Sequence, residues 1–286
     1  MSETQAPRPL AGRAPKLKTP PGTTDTHIHI FSEGHAGQPG GPPMPAPATV
    51  ADYRRFQKWL GLERAVVVQS NAYQLDNACL LEALADFGGD ARGIAAVTPE
   101  TPEAELERMT AAGVLGARIM NLPGGAVGLD RLEAVAARVR PFGWHVIVQL
   151  DGRQLPDHEA VLKRLEGPYV VDHVGKFLEP VALDHAAFRC LLGLVERGNC
   201  YVKLSAAYET SQSGAPDYRD VGRLARALVE AAPERMLWAS NWPHVGVPRE
   251  RYPDDVDLLD VLLEWAPDET VRRGILVDNP ARLYGF

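Results

Sequence analysis

Eight short apolar segments alternate with longer amphipathic segments along this chain, and this alternation restricts the folds that it can adopt. The predicted strands cover residues 24–31, 65–70, 93–97, 116–122, 144–150, 169–173, 200–205 and 236–240. The predicted helices cover residues 50–60, 77–87, 102–112, 129–142, 156–165, 182–197, 218–232 and 253–266, with a last short helix at 270–277. Apolar strands that are separated by helices are typical of a parallel sheet buried on both faces.

The number of these units favours a closed barrel. About eight strand–helix units in roughly 250 residues match a (β/α)8 TIM barrel. A doubly wound sheet is the alternative, but that fold usually carries a glycine-rich turn after its first strand, where this chain has His27-Ile28-His29. We predict one barrel domain over residues 23–286. A disordered or loosely packed tail, rich in proline, is expected over residues 1–22.

The composition of the chain argues against several classes of function. The 286 residues carry a net charge of -7 without a basic stripe, so nucleic-acid binding is not expected. No apolar run approaches the ~18 residues that a membrane span needs. The N-terminal residues lack the apolar segment of a signal peptide and the cysteines lack metal-site spacing, which together predict a cytoplasmic location. The sequence does not indicate an oligomeric state.

Polar residues recur where the predicted strands end. In a barrel these ends meet on one face, where catalytic residues are found, so the pattern predicts an enzyme with a small-molecule site. The loop over residues 32–49 lies on the same face and is expected to be ordered over the mouth of that site. The polar strand-end residues are His27, His29, Ser70, Asn71, Arg118, Asn121, Gln149, Asp151, His173, Lys176, Lys203, Tyr208, Asn241 and His244.

The two histidines of the first strand, His27 and His29, share one face because strand side chains alternate. They can serve as metal ligands or as hydrogen-bond donors to a carbonyl; two core histidines are the alternative. A zinc site needs three or four ligands of suitable charge. His173 adds an imidazole, but the last strand ends in Asn241, and an amide carries no charge to hold a cation. We therefore predict no catalytic metal and no cofactor.

Two cations are candidates for binding an anionic ligand. Arg118 lies in an otherwise apolar strand, where an unpaired guanidinium would be costly, so it needs a carboxylate partner. That partner is either a structural Asp or Glu or the substrate itself. Lys176 follows the sixth strand and can bind a carboxylate or stabilise an oxyanion; a solvated loop lysine is the alternative.

Three segments resemble the amidohydrolase superfamily, and within it the branch of 2-pyrone-4,6-dicarboxylate lactonases, whose members work without metal. They are residues 25–31 (DTHIHIF), 172–176 (DHVGK) and 238–244 (WASNWPH). In those lactonases an aspartate that activates water stands where this chain has Asn241, and arginine tends to stand where it has Lys176. Both departures argue against pyrone hydrolysis.

Other segments resemble members of the same branch that isomerise a galactarolactone. These segments are residues 116–120 (GARIM), 122–127 (LPGGAV), 173–177 (HVGKF) and 241–244 (NWPH). The resemblance implies metal-independent conversion of D-galactaro-1,5-lactone into the 1,4-lactone by intramolecular acyl transfer, with an anionic lactone as the small-molecule partner. A lactone hydrolase acting on a dicarboxylate or sugar-acid lactone is the alternative, and a non-catalytic sugar-acid binding protein is the third reading.

Residue roles follow from this chemistry as hypotheses. Lys176 would stabilise the oxyanion together with the histidines, while His173 or His244 would shuttle the proton. Arg118 would bind the free carboxylate. The expected catalytic residues are His27, His29, His173, Lys176, Asn241 and His244. The expected substrate-binding residues are Asn71, Arg118, Asn121, Gln149 and Tyr208.

Overall fold

The computed structural model describes residues 9–286, and its eight parallel strands form a barrel. Each strand hydrogen-bonds to the next one along the chain. The strands are β1 (Thr24–Ile28), β2 (Arg64–Val68), β3 (Ala91–Ala95), β4 (Val114–Met120), β5 (His145–Gln149), β6 (Tyr169–Val171), β7 (Cys200–Leu204) and β8 (Met236–Trp238). The predicted (β/α)8 fold is confirmed, and all eight predicted strands are present.

The barrel closes where the segment after β8 meets β1. The backbone N–H of His29 donates to the carbonyl of Trp242 at 2.9 Å, and the N–H of Asn241 donates to the carbonyl of His27 at 3.1 Å. These bonds place both histidines of β1 beside the loop that follows β8.

The contact between β1 and residues 239–242 after β8 is called the seam here, and a buried carboxylate stabilises it. Asp25 accepts hydrogen bonds from the backbone N–H (3.0 Å) and the hydroxyl (2.5 Å) of Ser240, and from the hydroxyl of Tyr53 at 3.0 Å. Burial raises the pKa of Asp25 to about 6, and these donors act in the opposite direction. The residue is fully engaged by the protein, so its role is to join β1, α1 and the end of β8.

Helices surround the strands. They are α1 (Val50–Leu60), α2 (Ala78–Phe87), α3 (Glu103–Ala111), α4 (Leu132–Val139), α5 (Leu155–Arg164), α6 (Ala186–Glu196), α7 (Arg219–Ala231), α8 (Asp255–Asp260), α9 (Leu262–Trp265), α10 (Glu269–Arg273) and α11 (Asn279–Tyr284). The start of α1 has a capping box, in which the Thr49 side chain accepts from the N–H of Asp52 and the Asp52 side chain accepts from the N–H of Thr49.

Four predicted helices differ from the structure. The helix expected over residues 182–197 begins only at Ala186, after His185, whose side chain accepts from the N–H of Ala187. The helix expected over residues 129–142 is the shorter α4, flanked by 3₁₀ turns, the second of which begins at Arg140 beside Pro141. The helix expected over 253–266 is divided into α8 and α9 at Val261. The last helix was predicted to end at residue 277, but a π turn continues it into α11. Asn279 anchors that extension by donating to the carbonyls of Pro233 and Met236.

The core has two parts. The larger part lies between the strands and the surrounding helices. The smaller part consists of side chains that share a separate cluster with the C-terminal Tyr284: Val66, Val68, Ile94, Ile147, Val170, Tyr201 and Leu237. These residues alternate along their strands, as residues that point into a barrel do. Apolar side chains therefore fill part of the barrel interior, and the polar strand ends lie above them.

The expected tail over residues 1–22 falls partly on residues 1–8, which lie outside the described residues. In the rest of that segment, Arg13 Nη1 lies 3.3 Å from Asp260 Oδ2, and the indole of Trp59 donates to the Arg13 carbonyl at 2.9 Å. Leu17 is buried. The segment from Arg13 onward is thus packed against the barrel, while a domain boundary at residues 22/23 stays a prediction. None of the helices within residues 9–286 is long and apolar enough to cross a bilayer.

Candidate active site

A cavity of about 250 Å³ lies at the C-terminal ends of the strands. Its size fits a small ligand. Pro42 from the loop after β1 contributes to its wall, and the N–H of Gln38 in the same loop donates to the Ala72 carbonyl at 2.8 Å, as expected for an ordered loop at the mouth. The lining residues are His29, Pro42, Ser70, Asn71, Arg118, Met120, Leu122, Pro123, Gln149, His173, Lys176, Glu209, Asn241, Val245 and Gly246.

Left-handed backbone turns aim three of these side chains. His173, Lys176 and Asn241 have φ of 54°, 50° and 60°, although none of them is glycine. Such conformations are uncommon for residues other than glycine, and they cluster at functional sites. They follow directly after β6 and β8, so they turn the chain at the point where the strands end.

Arg118 lines the cavity and, among the described residues, has no carboxylate in contact with it. Nη1 donates to the Gln69 carbonyl at 2.6 Å and Nη2 donates to Gln149 Oε1 at 3.0 Å, while Nε has no partner. Within residues 9–286, no carboxylate lies within 4.0 Å of this guanidinium. Burial lowers the pKa of Arg118, but its ordinary value is so high that the group stays charged. Of the two partners predicted from the sequence, a structural Asp or Glu is not in contact with Arg118, although the charge of Asp172 acts to raise the pKa of the guanidinium.

Lys176 forms an ion pair with Glu209 at the wall of the cavity. Burial lowers the pKa of Lys176 to about 8, and the charge of Asp172 acts in the opposite direction. Glu209 follows β7 and was not predicted as a site residue. The sequence signal for it was its position next to Tyr208, which was predicted.

Asn241 is held by hydrogen bonds rather than free. Its Nδ2 donates to Glu209 Oε1 at 2.9 Å and to the Tyr208 hydroxyl at 2.8 Å. The same hydroxyl lies 3.0 Å from Nδ1 of His244, whose Nε2 lies 2.8 Å from Asp255 Oδ1. Tyr208 and His244 thus support Asn241 from behind. Because both nitrogens of His244 are engaged away from the cavity, the structure does not support it as a proton shuttle.

Three of the expected substrate-binding residues have other positions or contacts. Tyr208 does not line the cavity, and its hydroxyl contacts Asn241 and His244 instead. Asn121 is exposed beyond the end of β4 and does not line the cavity, so its expected contact with substrate is not supported. Asn71 lines the cavity, and its Oδ1 accepts from the N–H of Ala126 at 3.3 Å. It therefore also orders the loop after β4.

Three histidines lie together below and beside the cavity. His29 Nδ1 lies 2.8 Å from the Val68 carbonyl, and His173 Nδ1 lies 2.8 Å from Ser205 Oγ. His27 is fully buried beneath them and does not reach the cavity. Burial, followed by the charge of Arg118, lowers the pKa of His29 to about 3, and burial also holds the pKa values of His27 and His173 well below their ordinary value. All three are neutral at pH 7.

Comparison with known proteins identifies the family. A profile described as amidohydrolase matches residues 24–286. The chain belongs to the amidohydrolase family.

This amidohydrolase aligns with several known proteins over more than 90% of both chains. It is 42% identical to the D-galactarolactone isomerase of Agrobacterium fabrum (strain C58), over 97% of this chain and 96% of that protein. It is 34% identical to a 2-pyrone-4,6-dicarboxylate hydrolase of Comamonas testosteroni, over 94% and 92%. The apo crystal structure of an Agrobacterium tumefaciens protein matches it with a TM-score of 0.94 and 41% identity, over 98% and 99%. The predicted family and the prediction of an enzyme are confirmed.

One cluster of the amidohydrolase has the composition of a metal site. Ligand atoms of His27, Asp172 and His173 lie within 4.8 Å of one another, and all three residues are buried. Asp172 supplies an anionic ligand, which the predicted strand-end histidines and Asn241 lack. The cluster nevertheless does not fit a metal ion, because Lys203 Nζ lies 3.1 Å from Asp172 Oδ1 and 3.0 Å from His27 Nδ1. A divalent ion among these ligands would face an ammonium at contact distance.

Proposed function

We propose that this protein isomerises a sugar-diacid lactone, converting D-galactaro-1,5-lactone into D-galactaro-1,4-lactone by intramolecular acyl transfer. The observation that carries the proposal is Arg118, a buried guanidinium that lines the cavity with no carboxylate within 4.0 Å in the described chain. A free carboxylate of the substrate would complete its ion pair, since planar guanidinium and carboxylate groups match in geometry.

The charge of the cavity supports a ligand with a single negative charge. Arg118 and Lys176 are the cations of its wall, Glu209 is the carboxylate, and the histidines are neutral. Two positive charges and one negative charge leave a balance of one positive charge. A galactarolactone carries one free carboxylate, whereas 2-pyrone-4,6-dicarboxylate carries two.

The reaction needs no water as nucleophile. The C4 hydroxyl of the substrate attacks the C1 carbonyl, the C1–O4 bond forms, the C1–O5 bond breaks, and the proton of O4 is transferred to O5. Because the nucleophile is tethered, its effective concentration is already high. Lys176 stabilises the negative charge that develops on the carbonyl oxygen. Asn241 lies where hydrolytic relatives would place a base, and it can only form hydrogen bonds with the substrate.

His173 is the residue that we assign to the proton transfer. It lines the cavity, and its neutral imidazole has a nitrogen that can accept a proton. Burial lowers its pKa and weakens it as a base, while the charge of Asp172 acts in the opposite direction. Its Nδ1 is engaged by Ser205, which leaves Nε2 for the substrate. The proton taken from O4 returns from the same nitrogen to O5, so the enzyme ends the cycle unchanged.

Time-resolved NMR of D-galactaro-1,5-lactone in H₂¹⁸O tests the proposal. We expect the 1,4-lactone to appear without incorporation of ¹⁸O and before free galactarate.

Lys176→Met should lower kcat about 100-fold or more, because an oxyanion stabiliser is removed. Lys58→Met, a change at an exposed lysine of α1, is the control and should keep full activity. Full activity of Lys176→Met would remove Lys176 from the mechanism, and absence of turnover by the unchanged protein would refute the function.

Lactone hydrolysis is the second candidate, and Glu209 is the observation that favours it. This residue brings a carboxylate to the cavity, although Lys176 and Asn241 already engage its oxygens. Free galactarate carrying ¹⁸O as the first product would favour hydrolysis. Activity without metal or cofactor, and a cytoplasmic location, stay predictions.

A further inference from the structure

Lys203 is an ammonium in the interior of the barrel, and no part of the proposed reaction uses it. It is fully buried in β7 and does not line the cavity. Asp172, also fully buried, is its ion-pair partner at 3.1 Å. Burying a lysine is costly even when it is paired, so an inward position for it calls for an explanation.

The second contact of Lys203 is with a histidine of the first strand. Nζ lies 3.0 Å from Nδ1 of His27. An ammonium can only donate hydrogen bonds, so Nδ1 of His27 must accept one. In a neutral imidazole the hydrogen must then be on Nε2.

An independent contact at the other end of the chain of hydrogen bonds agrees with this assignment. Nδ1 of His29 lies 2.8 Å from the Val68 carbonyl, which can only accept, so Nε2 of His29 carries a lone pair. The two Nε2 atoms of His27 and His29 are 3.3 Å apart. If His27 carried its hydrogen on Nδ1, two lone pairs would face each other there. With the hydrogen on Nε2, every donor meets an acceptor from Lys203 to Val68.

We propose that Lys203 supplies, as a side-chain cation, the positive charge that a metal ion would bring to the cluster of His27, Asp172 and His173, and that it thereby fixes the hydrogen of His27 on Nε2. Lys203 is a positioning residue that acts on His29 and the cavity through His27. The proposal does not depend on which lactone is converted. One consequence is that removal of the ammonium leaves three buried ligand atoms within 4.8 Å of one another, with Asp172 uncompensated. Such a site has the imidazole and carboxylate ligands that zinc and cobalt bind.

The first test is a titration with Co²⁺ as the probe. We expect Lys203→Ala to bind one Co²⁺ per chain, with visible d–d absorption and a higher Tm in Co²⁺ than in chelator. The unchanged protein should show neither effect at the same site. The matched control, Lys203→Ala with Asp172→Asn, lacks the anionic ligand and should bind Co²⁺ at least about tenfold more weakly. A folded Lys203→Ala that does not bind Co²⁺ would overturn the proposal.

Lys203→Ala can fail to fold in chelator, because it leaves a buried carboxylate without its cation. Recovery of native far-UV and near-UV circular dichroism on addition of Co²⁺ would then support the proposal, and failure to recover would contradict it.

The second test needs no variant at the lysine. Long-range ¹H–¹⁵N correlation spectra of the unchanged protein, labelled at histidine, report which ring nitrogen carries the hydrogen. His27 is assigned from the signals that disappear in His27→Gln. A hydrogen on Nε2 is expected. A hydrogen on Nδ1, directed at Asp172 Oδ1 (3.4 Å away), would show that Lys203 does not set the tautomer.

Discussion

At the scale of single residues, the ion pair between Lys176 and Glu209 links activity to pH. Burial lowers the pKa of Lys176 to about 8. If the ammonium stabilises the oxyanion, the protonated form is the active one. Its fraction is high below pH 8 and falls as the pH rises through that value.

We therefore expect kcat/KM of the isomerisation to fall about tenfold per pH unit on the alkaline side of Lys176 titration. Glu209→Gln removes the carboxylate that favours the charged form, so it should shift the alkaline limb to lower pH. Lys176→Arg keeps its charge and should shift the limb to higher pH. Initial rates by NMR, corrected for uncatalysed opening of the lactone, measure the profiles. Identical alkaline limbs for all three proteins would show that this lysine does not carry the pH dependence.

We expect Asn241 to suppress hydrolysis, because it stands where hydrolytic relatives would place a base. This prediction is best tested with Asn241 and Glu209 changed together. Glu209 Oε1 accepts a hydrogen bond from Asn241 at 2.9 Å, so an aspartate at position 241 would face a second carboxylate at that distance. Like charges so close oppose ionisation of both groups. The single change Asn241→Asp is thus a poor probe.

We expect Asn241→Asp combined with Glu209→Gln to add hydrolysis, seen as ¹⁸O-labelled galactarate. Glu209→Gln alone is the control and should release no more galactarate than the unchanged protein. A double variant that only isomerises would show that the amide at position 241 does not suppress hydrolysis.

The sequence predicted the cavity residues that follow directly after strands, because a parallel barrel brings those ends together. It did not predict Glu209, and it assigned no role to Asp172, although both are beside predicted residues. Their contacts depend on loop conformation and on left-handed turns such as that at Lys176, with φ of 50°. The residue types at these positions do not predict such a turn.

At the scale of elements, the seam between β1 and β8 depends on one carboxylate. Four groups donate hydrogen bonds to Asp25: the backbone N–H and the hydroxyl of Ser240, the Tyr53 hydroxyl, and the N–H of His27 at 3.3 Å. An amide at this position would carry no negative charge, and the two hydroxyls would have to reverse and accept from its N–H groups.

Asp25→Asn should therefore lower the free energy of unfolding by about 3 kcal/mol, as expected for a disrupted buried hydrogen-bond network. Thermal unfolding followed by circular dichroism measures the effect. Asp90→Asn, at an exposed carboxylate, is the control and should stay within ~0.5 kcal/mol of the unchanged protein. Equal stability of the two variants would mean that the seam does not need this anion.

The elements themselves were largely predictable. All eight strands were predicted because buried parallel strands read as continuous apolar runs. The errors were in the helices: α4 is shorter than predicted, and after β8 one amphipathic pattern covers both α8 and α9. The pattern of apolar residues does not show where the backbone hydrogen bonding changes locally, as it does in the π turn before α11.

At the scale of the whole molecule, residues from Arg13 to the start of β1 behave as part of the barrel. Leu17 is only 4% exposed, whereas the side chain of Arg13 is 42% exposed. Apolar burial rather than ion pairing should therefore attach this segment.

Leu17→Ala is expected to cost about 2 kcal/mol of unfolding free energy. Arg13→Ala should cost less than ~1 kcal/mol, because exposed ion pairs with the aspartates of α8 are screened by solvent. Urea unfolding of both variants makes the comparison. A larger loss of unfolding free energy for Arg13→Ala than for Leu17→Ala would show that ion pairing, rather than apolar burial, attaches this segment.

The seam also has a consequence for biosynthesis. Asp25 and its partner Ser240 are 215 residues apart in the chain. While the ribosome is still producing the intervening residues, β1 has no neighbour on one side, and its carboxylate cannot yet leave water. Native contacts of such long range form slowly, and an unpaired apolar strand is prone to associate with other chains. The nascent protein therefore has to keep its first strand in solution until nearly all of the barrel has been translated.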